Sequence, residues 1–168
     1  MRYIPRVAPT IRAIRLHPAT LAQAPDERRR AEWTDAAREA LVADDLAPEL
    51  DGGPYTIELR FEGNTAQVAL LDARDERAAA YRWDLRPLKE LLGEYLTLGR
   101  RIESLRGEGP PAQWEAVDIA KRGVHDEAAG LIVDALRPLG LGIETARRFF
   151  TLLTLIRLVQ SADGSFSR

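Results

Sequence analysis

The sequence contains no cysteine and only two histidines, His17 and His125. Without cysteine the chain has no disulfide framework, no thiol nucleophile and no thiolate metal site. A tetrahedral zinc site would have to rely on carboxylates, which is uncommon, so we expect neither a metal nor another cofactor. The sequence also lacks a GxxxxGK[ST] phosphate loop, and none of its serines lies in a nucleophile-elbow context.

A strong net charge and a long apolar run are absent as well. The net charge is −2 and the pI is about 5.8, so no overall basic field attracts nucleic acid and no acidic excess indicates disorder. The most apolar run, Phe149–Val159, is interrupted by Arg157 and is shorter than the roughly 20 residues of a membrane span. Residues 1–16 show no continuous apolar core of signal-peptide length. We expect a soluble, cytoplasmic protein with neither a membrane nor a nucleic-acid partner.

The length and composition predict one domain. The chain has 168 residues, of which 45% are hydrophobic and 30% charged, as in an ordinary soluble domain with one sizeable core. The polar sequence SADGSFSR, from Ser161, predicts a frayed C-terminal tail. We therefore expect a single α+β domain over residues 1–162 and a flexible tail over residues 163–168.

Alternating apolar and polar residues predict an antiparallel sheet. Tyr55–Glu62 alternates cleanly, and Gly63-Asn64 is a hairpin signal with glycine first, as a type II′ turn prefers. The inward residues of the next two strands are Ala66, Val68 and Leu70, then Ala79, Tyr81, Trp83 and Leu85. Thr10–Leu16 predicts a further strand. The expected fold is an α+β sandwich in which a three- to four-stranded antiparallel meander sheet packs against a helical layer.

Helical periodicity accounts for most of the remaining chain. The predicted helices are Asp26–Asp45, a helix from Leu88 towards Gly107 with Asp84 as a plausible N-cap, Trp114–Leu136 and Glu144–Gln160. Gly93 and Gly99 would weaken the second helix, which the close approach of another backbone would explain. Apolar residues surround the last helix almost completely, so it is central in the core or lies at an oligomer interface. The second alternative implies a homodimer or a protein partner bound through Phe149–Val159.

The helix that begins near Trp114 carries the candidate site. Its predicted core stripe consists of Trp114, Val117, Val124, Ala128, Leu131, Ile132 and Ala135. Asp118, Lys121, Arg122 and His125 border this stripe, so an acid, two cations and an imidazole meet an apolar surface. We expect these groups to be paired or partly wet, because burying unpaired charge is costly. Asp126 and Glu127 are predicted to project elsewhere, so the sequence His-Asp-Glu is not a chelate.

Three interpretations of this cluster remain open. Asp118, Arg122 and His125 could form an acid/base site beside an anion-binding arginine, because histidine titrates near neutrality. Asp118 and His125 are seven residues apart, about 10 Å along a helix, so Arg122 would have to bridge them. The cluster could instead be a ligand site without chemistry. It could also be a structural network that ties the helix to a neighbour through Arg86 or Arg148. The candidate ligand-binding residues are thus Asp118, Lys121, Arg122, His125 and Arg148.

Arg147 and Arg148 open the last helix, where positive charge opposes the helix dipole. We therefore expect an acidic neighbour: Glu144, a carboxylate of the Trp114 helix, or a bound anion.

Three other patterns have ordinary structural interpretations. Gly140-Leu141-Gly142 is a connector, because Thr145 occupies the third glycine position of a dinucleotide fingerprint. Arg28-Arg29-Arg30 fans around a helix and is expected to be solvated. The alternating aromatic residues Tyr55, Phe61, Tyr81 and Trp83 are predicted to be core residues, although they would stack RNA bases if they faced solvent.

Several spaced motifs resemble an uncharacterised protein family numbered 0262, which is found mainly in alpha-proteobacteria. The motifs are GPYTIEL at 53–59, DLRPLKELLGEYL at 84–96, QWEAVDIAKRGVHDEA at 113–128 and ETARRFFTLL at 144–153. Within the third motif Asp118, Arg122, Gly123, His125 and Glu127 match the family's pattern, and Ala120, Lys121, Asp126 and Ala128 depart from it. The similarity covers roughly residues 50–160. It implies no activity, because none is known for the family.

Two hypotheses for function follow. The first is a small binding or regulatory module, favoured because no nucleophile, metal set or phosphate loop is present. The second is a small-anion-binding protein or an enzyme, with an acid/base site around Asp118, Arg122 and His125. RNA binding would be a third hypothesis, but it needs a basic surface beneath a nearly neutral net charge.

Overall fold

The computed structural model describes residues 11–43, 45–106 and 108–162, with side chains up to residue 159. Four strands and five α-helices lie in this part of the chain. The strands are β1 (Ile11–Leu16), β2 (Tyr55–Glu62), β3 (Thr65–Leu71) and β4 (Arg77–Asp84), and the helices are α1 (Pro18–Leu21), α2 (Glu27–Glu39), α3 (Lys89–Ser104), α4 (Pro111–Ala135) and α5 (Ile143–Ala162). Short 3-10 turns occupy Ala40–Ala43, Arg86–Leu88 and Arg137–Leu139. The predicted tail over residues 163–168 lies outside the described residues.

The sheet has the strand order β1-β2-β3-β4. β2, β3 and β4 form the predicted antiparallel meander, with Gly63 at a φ of 58° in the first turn. β1 was predicted to extend an antiparallel sheet, but it pairs with β2 in parallel, so the sheet is mixed. The reason is the connection, because α1 and α2 cross over between the two strands, as a parallel pair requires. The α+β fold class is confirmed.

The core lies between one face of the sheet and the helices. Trp83 of β4 contacts Phe61 of β2 and Phe149 of α5, with ring centroids 6.1 and 6.4 Å apart. Of the four alternating aromatic residues, Tyr55, Phe61 and Trp83 are buried, and Tyr81 is partly buried and packs against the core, which confirms the prediction. The aromatic contacts thus connect the sheet to its central helix.

Helix α5 is central because it packs against α2, α3 and α4 as well as the sheet. Phe149, Phe150, Leu152 and Leu153 have no exposed surface, which accounts for the breadth of the apolar stripe. The chain's own helices and sheet therefore cover most of the stripe. Leu158 is the exception and is 41% exposed.

The connector before α5 packs against the segment that follows α2. The amide of Ala47 donates to the carbonyl of Gly140 at 3.0 Å, and Leu46 and Leu141 form an isolated β-bridge. Gly140 has a φ of 57°, and a Cβ built on it would lie 2.0 Å from the carbonyl oxygen of Ala47. Both facts demand glycine at this position. The connector interpretation of Gly140-Leu141-Gly142 is thus confirmed.

Asp45 sits at the N-terminus of α5 and bonds to it. Its carboxylate accepts from the amide of Glu144 at 3.2 Å and from the hydroxyl of Thr145. The predicted helix Asp26–Asp45 is therefore too long. It ends at Glu39, a 3-10 turn follows, and Asp45 caps a different helix.

Two further expectations about helix α3 were wrong. Asp84 is not its N-cap, because a 3-10 turn intervenes and Asp84 accepts from the Arg86 amide at 3.0 Å. A Cβ built on Gly93 or Gly99 would meet nothing within 4 Å, so no neighbouring backbone requires these glycines. In the described part of the chain, no helix is long and apolar enough to cross a membrane.

Candidate functional site

Helix α4 carries most of the candidate site. Val117, Val124, Ala128, Ala129 and Ile132 are buried and anchor the helix, which packs against α3 and α5. Leu131 and Ala135 were predicted in this stripe but are exposed. Leu131 lies at the stripe's edge, and Ala135 lies in the last helical turn. The buried residues from Val117 to Ile132 therefore hold the polar border of α4 in place, whereas Leu131 and Ala135 do not take part in this anchoring.

A surface concavity of about 400 Å³ lies along this polar border. Its lining residues are Asp118, Lys121, Arg122, His125 and Asp126 of α4, together with Arg147 of α5. The α4 residues follow the spacing i, i+3, i+4, i+7 and i+8, which places them along one side of a helix. Four of the five predicted site residues thus meet at one place.

Both arginines of the concavity are paired with carboxylates. Arg122 bonds to Asp118 at 2.7 Å, one turn away on the same helix. Arg147 pairs with Asp126 and, at 2.8 Å, with Glu144. The predicted acidic neighbour of Arg147 is therefore confirmed and comes from within the chain. The Asp118–Arg122 pair stands largely in solvent, with side chains 56% and 76% exposed, whereas Arg147 is more enclosed at 37%.

His125 is held by aromatic rings. Its ring meets those of Tyr95 and Phe150 edge to face, with centroids 5.2 and 5.1 Å away. Its Nε2 lies 3.5 Å from the hydroxyl oxygen of Thr151. Arg122 turns to Asp118 instead, so in this structure it does not act as the predicted bridge to His125.

The surroundings of His125 favour the neutral imidazole. Burial lowers the pKa of His125, and the positive charges of Arg147 and Lys121 lower it further, while Asp126 opposes them. At neutral pH the ring can therefore accept or donate a hydrogen bond but contributes no positive charge.

Lys121 differs from the other cations of the concavity. Its ammonium group lies 5.0 Å from the centroid of the Tyr95 ring, a cation–π contact. Among the ion pairs of the described residues, none includes Lys121. Within the described residues, an aromatic face therefore stabilises its charge and no carboxylate pairs with it.

Two residues singled out by the sequence lie elsewhere. Arg148 does not line the concavity; its guanidinium lies 4.0 Å from Glu39 of α2. His17 caps α1, where its Nδ1 accepts from the amide of Ala19 at 2.9 Å. The second histidine of the chain is therefore structural.

Three residues of the site were not among the candidate site residues predicted from the sequence: Asp126, Arg147 and Tyr95. Asp126 was predicted to project elsewhere, but it faces α5, where Arg147 draws it into an ion pair. Its spacing of four residues from Arg122 was the available signal. Tyr95 comes from α3, and no local pattern indicates which residue of another helix lies beneath Lys121.

The site offers no arrangement for metal binding. Within residues 11–43, 45–106 and 108–162, no group of three or more histidine, aspartate and glutamate side chains could hold a metal ion. The arrangement does provide a solvent-open surface with cationic lysine and arginine side chains and one neutral imidazole.

These features define a two-layer α+β domain with a polar concavity on its longest helix. The chain belongs to an uncharacterised protein family, UPF0262, whose model matches residues 9–159. Relatives include a UPF0262 protein of Cereibacter sphaeroides, 28% identical over 105 residues, and one of Nitrobacter hamburgensis, 28% identical over 113 residues. The aligned part covers 62% of this chain and 66% of the Cereibacter protein, and 66% of this chain and 69% of the Nitrobacter protein.

The names of these relatives give only the family and state no activity. No solved structure shows a significant match to the chain. The function of the family is unknown, so any assignment must be argued from the geometry of the site.

Proposed function

We propose that this chain is a binding module whose α4 concavity holds a small oxyanion, a carboxylate or a phosphoryl group. The observation that carries the proposal is the position of Lys121. Each arginine of the concavity has a carboxylate partner within the chain, whereas Lys121 has none among the described residues. An anion at this place would give the Lys121 ammonium group the charged partner that it lacks.

The charges of the lining support an anionic ligand. Lys121, Arg122 and Arg147 face two carboxylates, and His125 is neutral, so the six lining residues carry a net charge of +1. Glu144 approaches Arg147 from outside the lining and engages that arginine further. The free positive charge of the concavity is therefore concentrated at Lys121.

Arg122 is the second contact in this proposal. Its ion pair with Asp118 is exposed, and such pairs contribute only about 0–1 kcal/mol. A ligand anion can therefore recruit the guanidinium from Asp118 at little cost and bind it through two parallel hydrogen bonds. His125 then supplies a neutral hydrogen-bonding group beside the ligand.

An acid/base enzyme is the second candidate, and the lowered pKa of His125 favours it. A neutral imidazole at the rim of a concavity can accept a proton from a bound nucleophile. Against it stands the pairing of Asp118 with Arg122, which leaves His125 without a carboxylate that orients it. Turnover of p-nitrophenyl acetate or phosphate that His125→Gln abolishes would favour the enzyme. The binding module predicts no turnover above that of buffer.

A residue-resolved titration tests the binding proposal. The amides of Lys121, Arg122 and His125 are followed by NMR while acetate or inorganic phosphate is added at low salt. We expect saturable shifts along α4 in the natural protein and none in Lys121→Met, which keeps the alkyl stem on Tyr95 but removes the charge. Lys89→Met, at the other lysine of the chain, is the matched control because Lys89 is exposed in the first turn of α3.

The compartment is proposed separately, since the site does not bear on it. We propose that the protein works in the cytoplasm; without cysteine, its fold depends on no disulfide bond and hence on no oxidising compartment. Fractionation of cells with an antibody against the native protein tests this, and recovery with membranes or in an extracytoplasmic fraction would contradict it.

A further inference from the structure

A second polar concavity lies on the sheet. It is built from β2, β3 and β4, whereas the first is built from α4 and α5. It has a volume of about 290 Å³, and its lining includes Arg60 and Glu62 of β2, Thr65 and Gln67 of β3, and Arg82 of β4. Arg60, Gln67 and Arg82 form one row across the three strands, because the register pairs Arg60 with Gln67 and Gln67 with Arg82. Their side chains point away from the apolar core, since the neighbouring residues Leu59 and Val68 are fully buried.

Within the described residues, the two arginines of this row have no carboxylate partner. Neither Arg60 nor Arg82 takes part in an ion pair within the described chain. Two strand spacings separate their backbones, about 10 Å, so the flexible side chains can reach a common point above Gln67. Two unpaired guanidinium groups on one small surface repel each other unless an anion lies between them.

The acids that flank this row are engaged elsewhere. Glu58, two residues before Arg60 on the same face, pairs with Arg15 at 3.0 Å. Asp84, two residues after Arg82, bonds to Arg86 through both carboxylate oxygens, at 2.8 to 3.2 Å. The charge of Arg82 also lowers the pKa of Asp84, but less than the hydrogen bonds from Arg86 do.

Glu62 is the remaining acid of the concavity. It is exposed and forms no ion pair within the described residues, so it opposes an anion but does not cancel both arginines. With two arginines and one carboxylate, the lining carries a net charge of +1. The amide of Gln67 adds a donor, because its oxygen already accepts from Arg77 at 3.4 Å while its nitrogen has no described partner.

We propose that Arg60 and Arg82 hold a phosphoryl group above Gln67, on the sheet face opposite the core. Arginine suits this role because its planar guanidinium binds phosphate through two parallel hydrogen bonds, which lysine cannot do. The site is independent of the α4 concavity, since it shares no residue with it. The phosphoryl group belongs either to free phosphate or to a phosphorylated small molecule or peptide, and these share the same recognition chemistry.

The experiment is an NMR titration of the full chain with inorganic phosphate at low salt, read at the amides of Thr65, Gln67 and Arg82. We expect saturable shifts at these amides. Arg60→Ala or Arg82→Ala should raise Kd by about tenfold, the effect of losing a hydrogen bond to a charged group. Glu62→Gln should lower Kd, because it removes the opposing charge. Arg38→Ala is the control, since Arg38 is an exposed arginine that pairs with Asp35 on α2.

Lysine variants distinguish a loss of phosphate binding from a loss of structure. Arg60→Lys and Arg82→Lys keep the charge and the stem, and we expect weaker binding at an unchanged melting temperature. Repeating the titration with a phosphoserine peptide and a nucleoside monophosphate separates the sources: equal affinity identifies the phosphoryl group alone, and tighter binding identifies a carrier with further contacts. Shifts at β3 that do not saturate with any of the three probes would overturn the proposal. So would a Kd that both arginine variants leave unchanged.

Discussion

His125 lies edge to face against Phe150, with ring centroids 5.1 Å apart and ring planes at 88°. Phe150 has no exposed surface, so this contact attaches the candidate site to the core of the domain. The imidazole is thereby held between α3, α4 and α5, while Asp118 is paired with Arg122. A catalytic pair of Asp118 and His125 would require the Asp118–Arg122 ion pair to break. The geometry instead favours a rigid binding surface.

The half-buried position of His125 predicts a pH-dependent stability. Because the pKa of His125 is lower in the folded protein than its ordinary value of 6.5, the unfolded chain binds a proton more readily. The free energy of unfolding should therefore decrease as pH falls from 6.5 through the folded pKa, and stay level above that window. Urea denaturation of natural protein and His125→Asn at a series of pH values measures this. An equal decrease in the variant would show that other groups are responsible.

The Asp84–Arg86 pair predicts a second effect at lower pH. Hydrogen bonding to Arg86 lowers the pKa of Asp84 from 3.8 to about 2. Its contribution to stability is present above pH 3.8 and is lost as pH falls through about 2. Asp84→Asn should remove this part of the acid transition, which thermal denaturation between these pH values measures. The effect will be small, because the pair is exposed.

Two glycines should respond to alanine in opposite ways. Gly140→Ala should destabilise the protein by at least about 1–2 kcal/mol, because alanine disfavours the left-handed backbone and its Cβ would clash with Ala47. Gly93→Ala should stabilise it by about 0.5–1 kcal/mol, because that helical site is open. Chemical denaturation of both variants measures the two changes. A stabilising Gly140→Ala would contradict the described packing of the connector. A destabilising Gly93→Ala would contradict the open surroundings of that helical site.

The cap at the start of α5 predicts a moderate loss. Asp45→Ala should reduce the free energy of unfolding by about 0.5–2 kcal/mol, because it removes the acceptor for the Glu144 amide and the Thr145 hydroxyl. Glu49→Ala, an exposed acid in the same connecting segment, is the control and should be near neutral. If the two variants were equally stable, the cap would contribute nothing measurable.

Association through the last helix remains a proposal that the oligomeric state can test. The chain itself buries most of Phe149–Val159, and Leu158 is the large side chain of that range that stands exposed, at 41%. If α5 forms a dimer, light scattering will show twice the monomer mass, and Leu158→Glu will restore the monomer without unfolding it. A dimer that survives Leu158→Glu would place the interface elsewhere.

Local patterns predicted the elements whose residues repeat regularly. The alternation of Tyr55–Glu62 and the hairpin Gly63-Asn64 led directly to the meander, since one buried face fixes the register. The spacing of Asp118, Lys121, Arg122 and His125 likewise placed four residues of one concavity on one side of α4. In both cases the relevant geometry lies within one element or between consecutive ones.

Relations between distant segments could not be predicted from the sequence. The parallel pairing of β1 depends on a crossover, and alternation is the same in parallel and antiparallel strands. The expected partner of Arg147 was Glu144, a carboxylate of the Trp114 helix or a bound anion, and the choice of Asp126 follows from how α4 and α5 pack. Arg148 lies three residues from Thr145 and one from Arg147, yet it faces α2. Such details are decided by tertiary packing.

The most direct test of the binding proposal is the affinity of the α4 concavity for acetate and phosphate in three proteins: the natural chain, Lys121→Met and Lys89→Met. The account predicts saturable shifts of the α4 amides in the natural chain and in Lys89→Met, and their loss in Lys121→Met. Its reason is that Lys121 carries the uncompensated charge of the site. Equal shifts in all three proteins, or no saturation in any, would contradict it.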